Sequence, residues 1–143
     1  MNAQSAPSRS TAVSTDPAFA AFWLLRIGFV VLPLLMGIDK FANFLTHWPD
    51  YLPPWLVDLL PMSPQTAMYA AGVIEIIAAI AIAMKPRYAA YVVAAWLAGI
   101  TIILLTIPGL YDVALRDVGL LVGALSLALL ARKYDPPFGQ GTS

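Results

Sequence analysis

The chain is 143 residues long, 60% hydrophobic and only 11% charged, with zero formal net charge and a mean hydropathy of +0.78. A soluble domain carries about 25% charged residues, so this composition excludes an ordinary soluble globule and points to an integral membrane protein. The even charge balance leaves no basic face for nucleic acid, and the lack of cysteine excludes disulfide exchange, thiolate zinc sites and iron–sulfur ligation by this chain alone.

The opening residues, MNAQSAPSRSTAVSTDP, are small and polar with one arginine. They lack the order of a secretory signal, in which a basic start leads directly into a short apolar core. Residues 1–16 therefore read as a disordered tail. Four apolar blocks follow, each long enough to cross ~30 Å of hydrocarbon. The first is expected over 17–41, where Asp16-Pro17 supplies a cap and a proline at the first helical position. The second, 64–84, starts on the same signal at Ser63-Pro64. The third, 88–107, stops at the breaker Pro108-Gly109, and the fourth, 111–131, ends at Arg132, Lys133 and Pro136-Pro137. The expected domain spans 17–132, with a second tail over 133–143. The fold class is all-α: an integral membrane four-helix bundle.

With four spans, Arg9, Lys85, Arg87, Arg132 and Lys133 fall on one side, and only Lys40 lies near a helix end on the other. The positive-inside rule puts both termini in the cytoplasm. The long outer loop, 42–63, then carries Trp48, Tyr51 and Trp55, which are residues that settle at headgroup level. PWLVDLL, residues 54–60, is long enough for a short interfacial helix. An aromatic belt is the plain reading of this loop; a lid over a lipid-facing site is the sharper one.

Arg26, Glu75, Arg116 and Asp117 interrupt the apolar blocks. Each costs about 2.5–3.5 kcal/mol at mid-membrane, so each is expected to face inward and find a partner. Counted from the helix ends, Arg26 and Glu75 both lie ~13 Å deep at 1.5 Å per residue, which predicts an Arg26–Glu75 ion pair. Asp39, Lys40, Arg116 and Asp117 form a second layer near the outer side. There Asp39 could meet Arg116 and Lys40 could meet Asp117, or the partners could be exchanged. Gly119-x-x-x-Gly123 on the fourth helix reads as a packing motif. Glu75 shares a stripe with Ala71, Gly72, Ala79 and Ala83, and the third helix carries Ala90, Ala94 and Ala98. No metal is expected: His47 is the single histidine, and Asp50 beside it makes a poor site.

These residues also carry a likeness. Arg26, then Gly37-x-Asp39-Lys40-Phe41 with Trp48 following, Gly72-x-x-Glu75, and Arg116-Asp117 come in that order. The pattern resembles the DoxX-like family of small four-helix bacterial membrane proteins, over roughly residues 20–132. The resemblance implies the bacterial cytoplasmic membrane and, in some relatives, small subunits of quinol-oxidase or thiosulfate–quinone oxidoreductase assemblies. A thiol-based role does not fit a chain without cysteine. The leading expectation is a non-catalytic accessory subunit of a larger respiratory or other electron-transfer complex. Its partners would be that complex and membrane lipids, with no cofactor held by this chain alone and a quinone or lipid at its surface. One alternative is a quinone-binding subunit of a DoxX/DoxD-type oxidoreductase, using Asp39, Lys40, Arg116 and Asp117 on the headgroup and Glu75 for a proton. The other is a small proton-coupled carrier.

Overall fold

The computed structural model describes residues 16–136. Four long helices, α1 (Pro17–Ala42), α3 (Pro64–Met84), α4 (Pro86–Leu105) and α5 (Tyr111–Tyr134), are long and apolar enough to cross a membrane. A 3-10 turn (Trp48–Tyr51) and the short helix α2 (Pro54–Leu59) occupy the loop between α1 and α3. Among the described residues there is no strand. The third span begins and ends two residues earlier than expected, and the fourth runs three residues further. The expected tails lie largely outside the described residues, and Arg9 with them.

Local chemistry sets the ends. The Ala18 amide donates to Asp16 Oδ1 at 3.1 Å, and the Thr66 amide donates to Ser63 Oγ at 3.2 Å. Each bond satisfies one of the donors that a helix start leaves open. Helix α1 stops at Asn43, whose φ of 52° is left-handed and which lends itself to a helix C-cap. A single residue, Lys85, separates α3 from α4. Its ammonium lies 2.9 Å from Asp135, and the same carboxylate accepts the Arg87 amide at 3.0 Å. One aspartate at the end of α5 thus caps the start of α4 and neutralises the turn before it.

The helices pack as two close pairs, α1 with α3 and α4 with α5. Lipid tails supply no hydrophobic drive between helices, so close backbone approach and dispersion must do the holding. Small residues permit this: Ala89, Ala90, Ala94, Ala124, Ala128 and Ala131 are buried in one cluster with Phe22, Ile82, Val93 and Leu127. That cluster joins the two pairs at the end bearing Lys85 and Tyr134. Towards the opposite end a cavity lies between the pairs, lined by residues of all four long helices.

Candidate functional site

The site begins with two glycines. A Cβ on Gly37 would stand 2.8 Å from the Gly72 carbonyl oxygen, and one on Gly72 would stand 2.7 Å from that of Gly37. Only hydrogen fits there, so α1 and α3 touch backbone to backbone. One turn further along α1, this contact places Lys40 Nζ 2.9 Å from Glu75 Oε2, with the two side chains 6% and 13% exposed. The Trp48 ring covers the same ammonium at 3.7 Å, a cation–π contact that stands in for water.

Asp39 turns the other way, into the loop. Its carboxylate accepts the Trp48 indole N–H at 2.8 Å and the backbone amides of Phe44 at 3.1 Å and Leu45 at 3.0 Å. Asn43 accepts the Trp48 amide at 3.2 Å and donates to Gln65 at 2.9 Å, and Gln65 donates to the Lys40 carbonyl at 3.2 Å. The lid is therefore tied down by side-chain bonds from α1 and α3.

Behind the lid lies a cavity of about 630 Å³, within the range of small-molecule sites, roughly 300–1,000 Å³. Its walls are mostly apolar, with Phe29, Met36, Trp96 and Leu97 among them, and Lys40, Glu75, Arg116 and Asp117 form its polar part. Trp48, Tyr51 and Leu52 close over it, and the exposed side chains of Leu32, Met62 and Ile74 belong to its lining. Asp117 is half-buried, within the field of Lys40, and makes no hydrogen bond to another side chain among the described residues. The Trp96 indole N–H is a buried donor with no acceptor among the described residues. Chemically the cavity offers an ammonium, a guanidinium and two carboxylates beside a mostly apolar wall.

The structure departs from the expected pairings. Arg26 does not meet Glu75; its guanidinium donates to the Ala83 carbonyl oxygen and lies 4.8 Å from the Trp23 ring. Equal depth for Arg26 and Glu75 requires the ends of α1 and α3 to be level. The glycine contact instead sets a register in which Arg26 stands across from Ala83, offset by about eight residues, or ~12 Å. Glu75 is thereby brought to Lys40. Asp39 does not meet Arg116, because the loop amides claim it. Arg116 lies 3.6 Å from Asp112 on the exposed face of α5, a surface pair one helical turn apart. Lys40 and Asp117 line the same cavity without a direct bond.

The packing motif on α5 is half present. A Cβ on Gly123 would meet the Phe29 ring at 3.3 Å, whereas Gly119 has open space beside it. The rings of Trp48 and Tyr51 lie 5.6 Å apart at a tilt of 39°, and both line the cavity. Trp55 is half-exposed and donates to Thr106 Oγ1 at 3.0 Å, linking α2 to the end of α4. His47 and Asp50 sit 3.0 Å apart on the loop surface. Among the described residues no three His, Cys, Asp or Glu side chains gather into a metal-binding group. Asn43 and Gln65 were not singled out from sequence, where the only signal was an amide at each of two facing helix ends.

The sequence model of one family, DoxX, matches residues 21–106, from the first turns of α1 to the end of α4. No curated protein and no solved structure matches the chain.

Proposed function

The chain belongs to the DoxX family, and from that premise we propose that it is a membrane subunit holding a quinone-type molecule. The ligand is lipid-soluble and oxygen-bearing, and it occupies the cavity between the helix pairs. The observation that carries this reading is the join of polar and apolar surface. An apolar cavity of about 630 Å³ meets Lys40, Glu75, Arg116 and Asp117, whereas the buried cluster at the other end of the bundle is alanine and other apolar side chains.

The donor set fits such a ligand. An ammonium carries three N–H donors; Glu75 takes one and the Trp48 ring shields the group, which leaves a donor for a carbonyl oxygen. Asp117, without a side-chain partner, is the group free to accept from a hydroxyl. A bound quinone would supply two-electron, two-proton redox chemistry. This chain's part is to orient the headgroup, exclude water beneath Trp48 and Tyr51, and hold or accept a proton at Asp117. With no cysteine and one histidine to ligate a redox group, the subunit works inside a larger electron-transfer assembly of the bacterial cytoplasmic membrane. The basic end, bearing Lys85, Arg87, Arg132 and Lys133, faces the cytoplasm.

Titration of the detergent-purified protein with a short-chain quinone, read by quenching of its tryptophans, tests the reading. Saturable quenching that weakens about tenfold or more in Asp117→Asn is expected, corresponding to ~1.4 kcal/mol. Non-saturable quenching, or identical curves for the two proteins, would discard it. The orientation is tested by thiol labelling, since the chain has no cysteine of its own. Lys133→Cys should react with an impermeant maleimide only in inside-out vesicles, and Phe44→Cys only in right-side-out ones.

A further inference from the structure

Among the described residues, Arg26 is the one cation in the apolar part of a helix that the central cavity does not use. Its guanidinium carries five N–H donors. One donates to the Ala83 carbonyl oxygen, and Trp23 and Phe22 lie 4.8 and 5.8 Å away. Among the described residues no carboxylate bonds it. Ala83 is the penultimate residue of α3, so the side chain has reached the level at which that helix leaves the apolar region. Long basic side chains do this to bring their charge to the headgroups.

Beside it runs a separate cleft of about 230 Å³ lined by Trp23, Arg26, Ile27, Val30, Val31 and Ala83. Trp23, Ile27 and Val31 are exposed, so the cleft opens outward rather than into the bundle. Every other lining side chain is apolar or aromatic. The end of the molecule on which it lies is cationic. Lys85, Arg87, Arg132 and Lys133 stand there against Asp16 and Asp135, and Asp135 is already taken by Lys85 and the Arg87 amide.

From this we infer that Arg26 and its cleft hold one anionic phospholipid, with the phosphate on the guanidinium and an acyl chain along Ile27, Val30 and Val31. The charge requires an anion, and the unused N–H groups suit phosphate oxygens. The apolar cleft running from that charge requires a chain attached to the anion, which a free phosphate lacks. Basic pockets of this kind between transmembrane helices select acidic lipids. The site is independent of whatever fills the central cavity.

The test is native mass spectrometry of the full chain from mixed micelles of phosphatidylglycerol or phosphatidylcholine with identical acyl chains. The wild type is expected to retain one phosphatidylglycerol about fivefold more than phosphatidylcholine, the effect of one basic residue near a headgroup. Arg26→Gln should abolish that preference, and Val31→Trp, which fills the cleft and keeps every charge, should lower retention. Equal retention of the two lipids by the wild type overturns the proposal. So does a Val31→Trp protein that keeps phosphatidylglycerol as before, a result that holds even if Arg26→Gln does not fold. Displacement of the lipid by inorganic phosphate would assign the guanidinium to a free anion and overturn it too.

Discussion

Gly37 and Gly72 face each other so closely that a methyl group on either would meet the other's carbonyl oxygen at 2.8 or 2.7 Å. Backbone cannot rotate out of the way as a side chain can, so the contact fixes the register of α1 on α3. Gly37→Ala should therefore cost about 1–3 kcal/mol through forced separation of the helices, and Gly72→Ala should match it. Gly119→Ala is the control: a Cβ there meets nothing within 4 Å. Thermal unfolding of the three purified variants should show two large losses of Tm and one unchanged value.

The same register delivers Glu75 to Lys40, and a nearly buried pair behaves asymmetrically when broken. Removing one partner strands the other charge, at about 3–5 kcal/mol, whereas removing both together can be close to neutral. Lys40→Met alone should destabilise the fold strongly, and Lys40→Met with Glu75→Leu should recover most of the loss. If the double variant is as unstable as the single one, the pair's worth lies in specific bonds rather than in charge cancellation. A double-mutant cycle of unfolding temperatures reads this directly.

Much of the fold was legible because helix ends announce themselves. Asp16-Pro17 and Ser63-Pro64 start spans where caps and prolines predict, and Pro17–Ala42 and Pro64–Met84 are nearly the expected blocks. The partners of the charges were less legible, for one physical reason. Depth along a helix can be counted from sequence, but the relative height of two helices is set by which small residues touch. Gly72 was visible as a small residue on the Glu75 stripe and Gly37 as part of the motif that ends the first span; nothing local said that they oppose one another. Once they do, Arg26 falls beside Ala83 and Lys40 beside Glu75. Asp39 was unreadable for a different reason. It adjoins Lys40 in sequence, yet it lies where the chain leaves α1, and the open amides of Phe44 and Leu45 capture it before any other helix can.

Outside the spans, Asp16 has its own pH dependence. The Tyr134 hydroxyl donates to its Oδ2 at 2.8 Å and the Ala18 amide donates to Oδ1 at 3.1 Å. The Tyr134 bond above all holds its carboxyl below the usual carboxylate range. A lowered value means that the folded state favours the ionised form. This stabilisation is complete above the ordinary carboxylate value of about 3.9 and is lost as pH falls through the lowered one. An NMR titration of the Ala18 amide should give a midpoint below that ordinary value, and Asp16→Asn should erase the transition. A midpoint at or above it would contradict the clamp.

The final prediction concerns the lid. Trp48 does two separable things: its ring covers the Lys40 ammonium at 3.7 Å, and its indole N–H donates to Asp39 at 2.8 Å. Trp48→Phe keeps a ring and loses the hydrogen bond to a carboxylate, which should cost about 1.5–3 kcal/mol. Trp48→Ala loses both and uncovers the ammonium. An impermeant amine-reactive reagent, followed by peptide mapping, separates the two roles. Lys40 should stay protected in the wild type and in Trp48→Phe, and should become reactive in Trp48→Ala. Equal reactivity in all three would mean that the ring does not shield the site. Access to Lys40 would then be controlled by Tyr51 and Leu52, which also close over the cavity.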